Sequence, residues 1–238
     1  MDLSSVHLPP GYSRIRVVSS FDELVSTPFG DGINALCWQR ALPGNFDEIV
    51  ECLSTGGEIA TLDDAMLNAL PLSAEGRAAA DVLVQDQQRL RALGFSPVLN
   101  CIDRYPRDET GAVVSTDVYS FHADSATVAT DTFLCSYTGA ASEGLRNDEA
   151  QRCVDLPATR AALLKEYGGK DNGGFLEYLK ENCYDLHYVS TPQARPFSFG
   201  LGHLWRIAVD YPGSPVPPCL HRAPETIPGQ PPRLLLIS

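Results

Sequence analysis

His122 and Asp124 stand two residues apart at the end of the run Tyr119-Ser120-Phe121. Side chains alternate faces along a strand, so this spacing turns an imidazole and a carboxylate toward one point. They are two thirds of the set of two histidines and one carboxylate that holds iron(II) facially and leaves positions open. Taken alone, the pair has a plain alternative, a strand-end histidine beside a turn-forming aspartate.

A third ligand has to come from another strand. The chain has five histidines, at 7, 122, 187, 203 and 221. His7 sits in a loose arm, and His187 reads as core or surface. His221 closes the run Val216-Pro217-Pro218-Cys219-Leu220, and Arg233 opens Leu234-Leu235-Leu236-Ile237 twelve residues later. A 2-oxo acid chelates such a metal through its carboxylate and keto oxygen. Its far carboxylate then needs a cation, and arginine grips a carboxylate bidentately. His203 is the rival ligand, but His221 has the arginine at a fitting distance downstream.

His122-x-Asp124, His221 and Arg233, in that order, resemble the signature of the iron(II)/2-oxoglutarate-dependent oxygenases, from about residue 97 to the end. Further pieces resemble an uncharacterised, mainly bacterial family: Cys37-Trp38-Gln39-Arg40, Phe121-His122-Ala123-Asp124, Leu134-Cys135-Ser136-Tyr137-Thr138-Gly139, and His221-Arg222-Ala223-Pro224. Ala140-Ala141-Ser142-Glu143 departs from that family's Gly-x-Gly-Thr-Glu turn. The resemblance implies a double-stranded β-helix, a jelly-roll or cupin-like fold. It also implies iron(II) on His122, Asp124 and His221, the cosubstrate 2-oxoglutarate on Arg233, and dioxygen as oxidant. Halogenases that resemble these enzymes carry Gly or Ala at the position of Asp124, so the carboxylate implies hydroxylation, desaturation or cyclisation.

Weaker candidates surround this set. Arg104 and Tyr105 precede the metal strand and are candidates for the cosubstrate. Arg206, mid-strand, either meets a substrate carboxylate or pairs with an acid. Trp205 is a candidate substrate platform, although it and Trp38 read more readily as core. Arg222, next to His221, points to the opposite face and calls for a salt bridge. Cys219 is a minor candidate ligand. No Gly-x-Ser-x-Gly elbow, phosphate loop or dinucleotide-binding glycine motif is present.

The elements that must position these residues follow from periodicity and punctuation. Strands are predicted at Ile15 to Val18, Ile33 to Trp38, Val98 to Asp103, Val113 to Phe121, Ala126 to Tyr137, Leu186 to Val189, His203 to Val209, Cys219 to His221 and Arg233 to Ile237. Helices are predicted at Phe21 to Leu24, Phe46 to Leu53, Ser73 to Leu93, Pro157 to Glu166 and Asn172 to Asn182, with Gly56-Gly57 stopping the second. There is no βαβ alternation. The expectation is one domain over 1–238: a helix-rich part over 1–94, then a mainly antiparallel β core over 95–238 with a helical insertion at about 145–183.

Composition narrows the functions. The chain has 238 residues, 44% hydrophobic and 20% charged, and a net charge of −12. It can bury a full core. It lacks the basic face that nucleic acid or an anionic membrane requires, so a small-molecule substrate such as an amino acid or natural-product intermediate is expected. The N-terminus does not read as a signal peptide. Seven scattered cysteines without a Cys-x-x-Cys pair suit a reducing compartment, and a cytoplasmic location is expected. Two other readings stay open: a cupin-type metal-dependent dioxygenase or isomerase that does not use 2-oxoglutarate, and a non-catalytic, ligand-binding β-sandwich.

Overall fold

A computed structural model describes residues 8–53, 57, 59–227 and 229–238. His7, the N-terminal arm up to it and Gly56 lie outside the described residues. The strands are β1 (Ile15–Val18), β2 (Ala35–Trp38), β3 (Ile59–Leu62), β4 (Val98–Ile102), β5 (Phe121–His122), β6 (Asp131–Thr138), β7 (Glu143–Leu145), β8 (Ala150–Arg152), β9 (His187–Ser190), β10 (Phe197–Ser198), β11 (Leu204–Ala208), β12 (Leu220–Arg222) and β13 (Arg233–Ile237). The helices are α1 (Phe21–Ser26), α2 (Phe46–Glu51), α3 (Asp64–Ala69), α4 (Ala74–Ala92), α5 (Pro157–Tyr167) and α6 (Gly173–Glu181).

Two sheets form, one ordered β1-β2-β11-β6-β13-β4-β3 and the other β10-β7-β12-β5-β9-β8. Pairing is antiparallel except between β1 and β2, which run parallel across the short α1. A mixed α/β fold of two mostly antiparallel sheets results. Within 1–94, β1 and β2 fall where strands are predicted, and β3, which is not predicted, also joins the larger sheet.

Alternation divides the larger sheet's faces. On β6, Phe133, Cys135 and Tyr137 join the layer under α2 and α4, while Leu134 joins the layer between the sheets. Ile102, Trp205, Ile207 and Leu235 share that inner layer with Phe197, Phe199 and Cys219 from the smaller sheet and its flanks. Helix α4 starts where Ser73 accepts a hydrogen bond from Gly76 N. It buries Ala79, Ala80, Leu83 and Leu90 against the outer face. Helices α5 and α6 build their own cluster from Leu163, Phe175 and Leu179, with Val114 and Val154.

The strand predicted from Val113 to Phe121 is absent except for its last residue. Part of its backbone is satisfied locally: Tyr119 N donates to Asp117 Oδ1 and Ser120 N to Asp117 O. Such side-chain turns compete with a sheet ladder. Val114 leaves the line to pack with the α5–α6 cluster. The break predicted over Gly139 to Gly144 instead runs into β7. Gly144 is required there, because a Cβ would come within 2.3 Å of the Phe197 ring and 2.7 Å of the Phe199 ring.

Candidate metal centre

Two short neighbouring strands carry the candidate ligands. His122 on β5 and His221 on β12 are direct antiparallel partners. Their side chains therefore share a face, with ring centroids 4.6 Å apart. Asp124 follows β5, and its Oδ2 lies 3.8 Å from His221 Nε2. One ligand atom from each of His122, Asp124 and His221 falls within 4.8 Å of the others.

The tautomers favour a cation. His122 Nδ1 lies 2.8 Å from Ser120 O, and His221 Nδ1 lies 3.4 Å from Cys219 O. A carbonyl only accepts, so each Nδ1 carries the hydrogen and each Nε2 keeps its lone pair for a metal. Thr132 Oγ1 donates to Asp124 Oδ2 at 2.6 Å. Burial, followed by the neighbouring His221, lowers the His122 pKa to about 4. Burial opposes ionisation of Asp124, but His221, the Thr132 hydroxyl and His122 outweigh it and hold the carboxyl below its ordinary range. Two imidazole nitrogens and one carboxylate suit iron(II).

Arg233 lies on the same inner layer. Its guanidinium is buried, with Nη2 3.0 Å from Ser136 Oγ and in contact with Ser142 Oγ, and Nη1 3.4 Å from Tyr105 Oη. Among the described residues Nε is buried without a hydrogen-bond partner, and no carboxylate pairs with the guanidinium. Burial lowers its pKa, opposed by Tyr105. Thr132 and Ser136 are both supports from β6, four residues apart on one face, which is roughly 13 Å along a strand. A cleft lined by Tyr105, Ala140, Thr226, Ile227 and Gln230 reaches Arg233.

The structure brings His122, Asp124 and His221 together, and Tyr105 to Arg233. Arg104 is exposed and donates to Gly57 O. Arg206 faces the helices, where Asp131 and the carbonyls of Leu24, Val25 and Thr27 occupy its guanidinium. That is the acid-paired alternative, and it is remote from the inner layer. Trp205 is buried, stacked on Phe199 at 4.3 Å, and Phe199 lies 6.5 Å from His221. Trp205 is thus one ring removed from the ligands. His203 precedes β11 rather than opening it, and its Nδ1 accepts from Arg40 N. Burial raises the Cys219 thiol to about 12, which keeps it protonated. Arg222 pairs with Glu143 at 2.7 Å, on the face opposite His221.

Four polar residues at the site escaped the sequence reading. Thr132 and Ser136 had a signal, being the polar positions that alternate with Phe133, Cys135 and Tyr137. Ser142 and Ser120 had none, because irregular backbone places them. Comparison of the chain with protein-family models, curated proteins and solved structures finds no match. Among the described residues no helix is long and apolar enough to cross a membrane.

Proposed function

We propose that the chain is a non-haem iron(II)/2-oxoglutarate-dependent oxygenase that hydroxylates, desaturates or cyclises a small molecule. The observation that carries this is one inner layer holding both His122–Asp124–His221 and a buried arginine that no carboxylate among the described residues pairs with. Strand order supports a jelly roll as the finer description of the fold. Counting β4, β5, β6, β7, β10, β11, β12 and β13 as first to eighth, the sixth, third, eighth and first are neighbours in one sheet. The fifth, fourth, seventh and second are neighbours in the other. That is the arrangement of two interleaved Greek keys. Strands from both ends of the chain share the larger sheet, which supports a single domain. Seven free thiols fit a reducing compartment such as the cytoplasm.

Iron(II) would be held by Nε2 of His122, Nε2 of His221 and Asp124, and with 2-oxoglutarate and dioxygen it supplies the oxidising power for an unactivated C–H bond. The chain's own residues provide geometry. Nδ1–H bonds to Ser120 O and Cys219 O aim the two lone pairs. Thr132 fixes the rotamer of Asp124. Arg233, with Ser136, Ser142 and the Tyr105 phenol, forms a cationic, hydroxyl-rich seat for the far carboxylate of the cosubstrate. Leu134, Phe199, Trp205 and Leu235 keep water from the space between these groups. Asp124 favours hydroxylation-type outcomes, since it occupies the position that a halide would need.

The test loads the anaerobic protein with iron(II), adds 2-oxoglutarate and looks for the visible charge-transfer band of the chelate. The band should vanish in His122→Ala and weaken in Arg233→Gln. Iron binding without a band would favour the cupin-type enzyme that does not use 2-oxoglutarate. Failure to bind metal would favour the non-catalytic sandwich.

A further inference from the structure

The two candidate histidine ligands are aimed alike but supported differently. Behind His221, the carbonyl of Cys219 belongs to backbone anchored across the layer, with Cys219 N donating to Ala208 O at 2.9 Å. Behind His122, the carbonyl of Ser120 ends the irregular connection 103–120. Ser120 N reaches only Asp117 O, within its own turn, at 3.3 Å. The Ser120 side chain adds a tie of its own to the sheet, beside the pairing of its neighbour Phe121 with Tyr188. Its Oγ lies 2.6 Å from Nδ1 of His187, on β9.

His187 is the antiparallel partner of His122 on the side away from His221. Three histidines therefore form a row across β12, β5 and β9, with the His122 and His187 rings 5.7 Å apart. Ser120 Oγ also lies 2.9 Å from Asp117 O and 3.2 Å from Ser115 O. Carbonyls only accept, so the hydroxyl proton goes to one of them. His187 Nδ1 then carries a hydrogen and donates it to Oγ.

We propose that His187 and Ser120 are positioning residues acting as one unit. His187 holds the Ser120 hydroxyl, this fixes the Ser120 carbonyl, and the carbonyl keeps His122 in the Nδ1–H tautomer with Nε2 open to a metal. His187 is not itself in the ligand set, which is His122, Asp124 and His221. The inference rests on the oxygenase reading only for the presence of a metal. Partners behind a ligand imidazole commonly carry about tenfold or more in metal affinity.

The test is calorimetric titration of the anaerobic, metal-free full chain with Mn(II), without 2-oxoglutarate. Ser120→Ala and His187→Leu should each weaken binding by about tenfold. The double variant should be no weaker than the worse single variant, because both remove one coupling. His187→Asn, whose amide N–H can still reach Oγ, should bind within roughly threefold of wild type. Long-range 15N–1H spectra of metal-free protein should show His122 losing its single Nδ1–H tautomer in Ser120→Ala. Ser120→Ala removes one oxygen atom, so it tests the unit even where His187→Leu does not fold. Wild-type binding with unchanged variants would overturn this inference alone. So would additive losses, or a loss in His187→Leu as complete as in His122→Ala with Ser120→Ala unaffected. A wild type that takes up no Mn(II) would overturn the oxygenase reading as well.

Discussion

The two faces of the larger sheet treat buried arginine in opposite ways. On the helix-covered face, Arg40 lies against Asp86, with Nη1 2.8 Å from Oδ1, and Tyr137 donates to the same carboxylate. Arg206 meets Asp131 and three backbone carbonyls there. On the inner face, among the described residues, Arg233 meets hydroxyls alone and keeps a bare Nε. A buried guanidinium with its own carboxylate is part of the scaffold. One without is costly until an anion arrives. The difference teaches where a ligand belongs, and it does so before any chemistry is assigned.

Breaking the outer pairs should cost stability, while removing the inner cation should not. Asp86→Leu leaves Arg40 buried and unpaired and should destabilise the protein by about 3–5 kcal/mol in denaturant unfolding. Arg233→Met should leave unfolding free energy unchanged or higher and strongly reduce the further thermal stabilisation that 2-oxoglutarate gives the Mn(II)-loaded wild type. An Arg233→Met protein as unstable as Asp86→Leu would erase the contrast.

A second effect belongs to the inner layer alone. His122 stays neutral when folded down to about 4, whereas the unfolded residue takes a proton near 6.5. The metal-free protein should therefore be fully stabilised by this group above pH 6.5 and lose that contribution as pH falls toward about 4. His122→Gln should flatten this slope in chemical denaturation at several pH values.

Smaller effects grade the comparison. Asp131→Ala removes a partner from a partly exposed pair, with side chains 15% and 18% exposed, while the carbonyls around Arg206 remain. It should cost about 1–3 kcal/mol in thermal unfolding. Glu143→Gln breaks the more exposed pair with Arg222 on the smaller sheet and should cost no more than about 1 kcal/mol by the same measure.

Periodicity and punctuation made most strands and all the longer helices legible. Ser20, Asn45, Ser73 and Asn172 cap helices as their types suggest. β3, α3, β7, β8 and β10 escaped, being short segments whose placement depends on partners far along the chain. The strand expected at Val113 to Phe121 failed because Asp117 offered the backbone local bonds and Val114 packs with the α5–α6 cluster.

Residue type and order alone determined that His122, Asp124, His221 and Arg233 were the residues to watch, since two-residue spacing on a strand converges side chains without help from the fold. Tertiary structure decided the rest. Register between β5 and β12 brought His221, not His203, beside His122. The face on which each arginine fell separated Arg233 from Arg206. Contacts from β6, β9 and the irregular segment around Ser120 and Ser142 supplied the supports, because such contacts depend on which distant strands become neighbours and not on local sequence.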